Sequence, residues 1–194
     1  ARDAQMSGRF RMPARLAESM GTDDAIFTAR GVRLAPVQSL GVTIEAGRGP
    51  KGDKVADEAE ALFGLNGVAI SSETVTTLRT HLADHGVAFG AITWRPRADG
   101  SRWDPQLVAW PIEFVWWDTA RGQYVTQVRR YDSEPDPSSP LWTPQPVGVG
   151  SPIEPIVHGD GRWVVFAKSE LLPHRLDAAL LPAAMVWARH AFAM

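Results

Sequence analysis

Two histidines in this sequence, His81 and His85, stand four residues apart in "LRTHLADHG". That spacing puts two imidazoles on one face of a helix, as a pair of zinc ligands requires. The chemistry it would serve is metal-assisted hydrolysis, with His158 or His174 as the distant third ligand. The pattern lacks the other half of that chemistry, because Leu82 follows His81 where a metalloprotease carries its glutamate base. An exposed pair on a helix flank is the plainer expectation, and a metal-dependent hydrolase using His81 and His85 is kept as the alternative function.

Other candidates fail at their critical positions. "GRGPKGDKV", residues 47–55, sits between a strand-like and a helix-like stretch, as a phosphate-binding loop would. Counted from Gly47, however, Asp53 occupies the lysine position, and neither Lys54 nor Val55 offers a hydroxyl for magnesium. The stretch reads as a solvated turn. No G-x-S-x-G elbow presents a serine nucleophile, and Ser138 and Ser139 lie in a proline loop. His158 and Asp160 flank a tight turn, which explains the aspartate. Asp23 with Asp24, and Glu58 with Glu60, read as a helix cap and a solvated face. No catalytic, cofactor or metal residue is nominated, and no enzymatic activity is expected.

The elements behind these residues form two halves. "TDDAIFTARGVRLAPVQSL" begins with a cap candidate, Thr22, and two acids, and predicts a helix that Pro36 ends or kinks. "GVTIEAG" alternates as a half-exposed strand, and "KVADEAEALF" is a short acidic helix. "SETVTTLRTHLADHG" is the best helix, capped by Ser72, with Val75, Leu78 and Leu82 on one stripe and Gly86 just past its end. After Gly86 the period changes to two. "VAFGAITW" is a strand with Gly90 marking a bulge, and "LVAWPIEFVWWD" and "QYVTQVRRY" are two more, joined across residues 118–122. Prolines crowd residues 131–155, which excludes an inner strand and leaves extended loop or edge pieces. "PIVHGDGRWVVFA" reads as a hairpin, and helix is expected from His174 onward. The fold class is therefore α+β: helices with a largely antiparallel, hairpin-rich sheet.

Composition bounds the function. The chain has 194 residues, 44% of them hydrophobic and 22% charged, enough for one sizeable core. A net charge of −2 and a pI of about 6.2 argue against a protein that grips nucleic acid by neutralising many phosphates. With no cysteine there is no disulfide, thiolate zinc site or cysteine nucleophile. The first residues form no secretory signal, and the longest apolar run is too short for a membrane span. The start at Ala1 and the unstopped helical pattern of "LPAAMVWARHAFAM" lead to the expectation of a longer polypeptide.

The most unusual feature is the 8 tryptophans. Trp94, Trp103, Trp110, Trp116, Trp117, Trp142 and Trp163 all fall on or beside the β-rich half. Adjacent residues of a strand face opposite ways, so Trp116 and Trp117 cannot share one core. In a regular strand Trp117 joins Val115 opposite Ile112, Phe114 and Trp116, leaving apolar groups on both faces. The cover is a helix of the same chain, favoured slightly for Trp117, or a second subunit, favoured for the surface around Trp142. Trp117 and Trp142 are the two subunit-interface candidates. A β-rich module that holds a ligand on exposed tryptophans is a third possibility.

The order of four segments carries a resemblance: "DDAIFTARGVRLAPVQSLGVTIEAG", "LRTHLADHGVAFGAITWRP", "DPQLVAWPIEFVWWD", and "EPIVHGDGRWVVFA" before a long helix. Together they cover most of the chain, which resembles the portal proteins of tailed bacteriophages, especially the Mu-like group. The resemblance implies that residues 1–173 are a wing-like α+β domain and that residues 174–194 begin a helix leading to segments absent here. It further implies a structural ring, usually a dodecamer, at one vertex of the virion capsid, assembled in the host cytoplasm. DNA passes through such a ring in packaging and ejection without sequence-specific binding. The expected partners are the terminase motor, head-completion or adaptor proteins and the major capsid protein, with no cofactor and no membrane. Stem, clip and crown patterns are not seen, so channel-lining and motor-docking residues are not assigned.

Overall fold

The computed structural model describes residues 2–38, 45, 49, 51–63, 69–96, 100, 103–127, 153–167, 171–176, 178–179, 183–184 and 187. Within them lie five α-helices, six strands and two short 3-10 turns, an α+β arrangement. Among the described residues no helix is long and apolar enough to cross a membrane.

The N-terminal half is helical. A short α1 (Arg2–Met6) leads into α2 (Arg11–Met20). On α2, Pro13, Ala17 and Met20 are buried at helical spacing. Pro13 is tolerated because it sits in the first turn, where its missing N–H has no intrahelical partner to lose. Helix α3 (Asp24–Gln38) starts one residue later than its cap candidate implied. Asp23, not Thr22, supplies the cap: its Oδ1 accepts from the N–H of Ala25 at 2.9 Å and of Ile26 at 3.2 Å. Thr22 instead donates to the carbonyl of Ser19. The helix also runs two residues beyond Pro36, so that proline neither ends nor breaks it.

Helix α4 (Gly52–Phe63) is the short acidic helix expected, and α5 (Ser72–His85) is the long one. The cap of α5 is Ser71 rather than Ser72, its side chain accepting from the N–H of Thr74 at 3.1 Å. Gly86 closes the helix with φ of 78°, the left-handed conformation that glycine adopts most cheaply.

Two three-stranded antiparallel sheets follow. One has the order β2-β1-β6, from β1 (Val87–Pro96), β2 (Trp103–Ala109) and β6 (Trp163–Ala167); the other has the order β3-β4-β5, from β3 (Val115–Asp118), β4 (Gln123–Gln127) and β5 (Ile153–Pro155). Three expectations need correction here. Gly90 marks no bulge, since the β1–β2 register runs unbroken from Gly90 opposite Ala109 to Pro96 opposite Trp103. It marks a close approach instead: a Cβ at Gly90 would lie 2.7 Å from Leu107 Cδ1. Second, "LVAWPIEFVWWD" is not one strand. The chain leaves the first sheet at Trp110, Pro111 has no N–H to continue a ladder, and Ile112–Phe114 forms a 3-10 turn before β3 opens the second sheet. Third, "PIVHGDGRWVVFA" has the expected tight turn but is not a hairpin, because β5 pairs with β4 while β6 pairs with β1. The turn carries the chain between the sheets. Arg162 and Glu154 staple that crossing with an ion pair of 2.6 Å.

The main core lies between the sheets. Val87, Phe89, Ala91 and Trp163 from the first sheet pack with Val115 and Tyr124 from the second, with Phe10, Trp110 and Ile156, just after β5, completing it. The indole N–H of Trp110 donates to Thr126 Oγ1 at 2.8 Å, and Thr126 in turn donates to the carbonyl of Phe114 at 3.0 Å. This buried relay satisfies a core indole and fastens the 3-10 turn to β4. Of the expected terminal helix, the described residues contain a 3-10 turn at Pro173–Arg175 and helical Ala183, Ala184 and Trp187. Leu176 is extended and Ala178 and Ala179 are not helical, so the helix expected from His174 does not begin there. The rest of that helix, the strand expected at residues 41–47 apart from Glu45, which is in no strand, and most of the proline-rich stretch lie outside the described residues.

Candidate functional site

A cleft of about 980 Å³ opens between α2, the C-terminal half of α5 and the 3-10 turn with β3. Its floor holds the histidine pair, and the sequence expectation of an exposed pair is wrong for His85, which is only 2% exposed. The cause is a distant contact: the last turn of α5, which leads directly into central strand β1, is covered by the N-terminal segment. Gln5 donates from Nε2 to the carbonyl of His85 at 2.9 Å, and its Oε1 lies 3.2 Å from His85 Nδ1. A carbonyl accepts only, so the amide nitrogen must face it. Oε1 then faces the ring, and His85 carries its proton on Nδ1.

His81 lies beside it, with ring centroids 6.3 Å apart. Both imidazoles are held neutral. Burial lowers the pKa of His81 from the ordinary 6.5 to about 4, and burial, followed by the charges of His81 and Arg30, lowers that of His85 to about 3. A neutral imidazole is the metal-binding form, yet the distant ligands are not brought in. His158 Nδ1 accepts from the N–H of Val165 at 3.0 Å, and His174 is exposed in its own 3-10 turn. Among the described residues no three His, Cys, Asp or Glu side chains gather as a metal set. Asp84, between the two histidines, pairs with Arg30 at 2.8 Å.

The walls of the cleft are basic. Arg9, Arg11 and Arg15 line it from the α1–α2 side, all exposed, and Arg30 joins from α3. Arg11 and Arg15 are four apart on α2 and share a face. Arg9 is placed by a single antiparallel bridge to Trp116, and the carbonyl of Gly8 accepts the N–H of Trp117 at 3.0 Å. Sequence reading overlooked this set and the Gln5 clamp. The visible signal was the buried Pro13, Ala17, Met20 stripe, which puts Arg11 and Arg15 on the solvent side.

The tryptophans divide sharply. Trp110 and Trp163 are buried and meet edge to face at 5.1 Å. Trp117 is half-buried on the core face with Val115, its ring 4.9 Å from that of Tyr124. Its cover comes from this same chain: Gly8 and Pro173 close over it so tightly that a Cβ on Gly8 would sit 2.6 Å from Trp117 Cβ. Trp116 faces the other way, half-buried at the cleft, on the side that also carries fully buried Val125. Among the described residues, the two indoles left in solvent are Trp94 at 54% and Trp103 at 58% exposure. Register places Trp94 opposite Pro105 and Trp103 opposite Pro96, so all four side chains share one face at the free end of the β1–β2 ribbon. Trp142, Ser138 and Ser139 lie outside the described residues, as does part of the 47–55 stretch, whose described end opens α4 with Asp53 in its first turn. Asp160 has the turn role expected, accepting from the N–H of Arg162 at 2.8 Å and of Trp163 at 2.9 Å.

Compared with known protein families and with curated proteins, the sequence matches none.

Proposed function

We propose that this chain is a structural, non-enzymatic subunit of a ring, of the kind that forms the portal at a capsid vertex of tailed bacteriophages. The observation that carries the reading is the Trp94, Pro96, Trp103 and Pro105 face, where two indoles more than half exposed project from the end of a ribbon. Tryptophan is concentrated in the cores of protein interfaces and at their energetic hot spots. A ring needs such a face to meet a different face of the next copy, a heterologous contact that closes on itself. The sequence resemblance supplies the rest of the proposal: a dodecamer of the virion, through which DNA is packaged and ejected, docking the terminase motor, head-completion proteins and the major capsid protein. The mild acidity of the chain suits a passage that does not retain DNA by phosphate contacts. Negative-stain imaging of the full chain at high concentration tests this. Closed rings are expected, and a field of isolated monomers overturns it.

The metal-dependent hydrolase reading keeps one observation in its favour, the two neutral imidazoles at the cleft floor. Among the described residues it lacks the third ligand that a catalytic zinc site takes from the protein. Elemental analysis of the purified protein separates the readings, since stoichiometric zinc favours the hydrolase.

A further inference from the structure

The cleft has a feature that ring assembly does not use. Among the described residues, no carboxylate lies within ion-pair distance of Arg9, Arg11 or Arg15, although all three line one concavity of a chain whose net charge is −2. Arg11 and Arg15, four apart on one helix face, repel each other and destabilise α2 slightly. The acidic groups of the cleft offset them only in part, since Glu18, Asp84 and Glu113 stand against Arg9, Arg11, Arg15 and Arg30. Asp84 is engaged with Arg30, and among the described residues neither Glu18 nor Glu113 forms an ion pair, even though Glu18 follows Arg15 at a spacing that would permit one. Beside these guanidinium groups stand two half-buried aromatic side chains, Phe114 and Trp116, with Arg9 tied by its backbone next to Trp116.

We propose that this cleft binds a small phosphate monoester, its dianionic group held by Arg9, Arg11 and Arg15 and its planar or apolar body resting on Phe114 and Trp116. Three guanidinium forks suit a tetrahedral dianion with three terminal oxygens better than a flat, singly charged carboxylate. The volume of about 980 Å³ is at the upper end of small-molecule pockets. A nucleic-acid strand is the poorer occupant, because it needs a basic track along which many phosphates lie, and the chain carries a net charge of −2.

Calorimetric titration with 5′-AMP, inorganic phosphate, adenosine and a short single-stranded oligonucleotide tests the assignment on the full chain. Saturable binding of 5′-AMP is expected, with phosphate alone weaker and adenosine weaker by at least about tenfold, the loss of one charge-assisted contact. The double variant Arg11→Ala, Arg15→Ala should weaken 5′-AMP binding by at least about tenfold. Arg9→Ala should weaken it as well, and Lys54→Ala, outside the cleft, should not. All four side chains are exposed, so unchanged circular dichroism is expected throughout. The assignment is overturned by any of three results: no saturation with 5′-AMP, equal affinity for adenosine, or undiminished binding by the folded double variant. An oligonucleotide that binds more tightly than 5′-AMP, with a steep salt dependence, would also overturn it in favour of a nucleic-acid surface. None of these outcomes bears on ring formation, which is read by imaging.

Discussion

Gln5 and His85, at opposite ends of the helical half, hold each other through two contacts: the Gln5 amide N–H to the His85 carbonyl at 2.9 Å, and the His85 Nδ1–H to Gln5 Oε1 at 3.2 Å. Gln5 is fully buried. The pair ties α1 to the last turn of α5 at the point where that helix becomes the central strand, so it fixes the rear of the cleft. Replacing Gln5 with alanine leaves a buried carbonyl and a buried imidazole N–H without partners. The expected loss of folding stability is about 1–3 kcal/mol for each group left unsatisfied. Urea denaturation reads it as a lower midpoint, and an unchanged midpoint would show that the clamp contributes nothing.

The same histidines make stability depend on pH. In the folded chain their pKa values are lowered to about 4 and about 3, against an ordinary 6.5. The unfolded chain therefore binds more protons than the folded one between those values, and stability rises with pH across that range. Read downward, the contribution is complete above about pH 6.5 and is lost as the solution is acidified toward pH 3. The thermal midpoint should fall over that interval, and a His81→Gln, His85→Gln variant should fall less steeply than the parent. Parallel profiles would remove the histidines as the cause.

Gly8 is fixed by two independent constraints. Its φ of 72° lies in the left-handed region, and a Cβ would meet Trp117 Cβ at 2.6 Å and Pro173 Cγ at 2.8 Å. Gly8→Ala should destabilise the fold by about 1–3 kcal/mol, the range for overpacking, and should change the near-ultraviolet circular dichroism as Trp117 is displaced. A variant with parental stability and spectrum would mean that the α1–α2 turn does not seat on Trp117.

Much of the fold was legible where local chemistry alone decides it. The end of α5 at Gly86, the turn across residues 118–122 and the Asp160 turn follow from residues acting on their immediate neighbours. Pairing was not legible, because it depends on distant partners. Nothing local in "PIVHGDGRWVVFA" says that its two strands join different sheets, and nothing in "LVAWPIEFVWWD" says that the chain changes sheet at Pro111. The same limit applies to the site. His81 and His85 were visible as an i, i+4 pair, but burial of His85 required Gln5 from the far end of the helical half. Trp117, expected on a second apolar face, lies on the core face against Tyr124. Gly8 and Pro173 of this chain close over Trp117, while among the described residues the indoles that remain in solvent are Trp94 and Trp103.

Those two indoles carry the central claim, that this chain works as one copy among several in a closed ring. By strand register they are diagonal neighbours, a separation of roughly 7–8 Å that aromatic side chains span, and together they form a patch suited to a partner surface. Native mass spectrometry of the full chain and of a Trp94→Ser, Trp103→Ser variant tests the claim most directly. A discrete multimer with a fixed subunit number is expected for the parent, and a folded monomer for the variant. A parent that stays monomeric at high concentration, or a variant that assembles as the parent does, would contradict it.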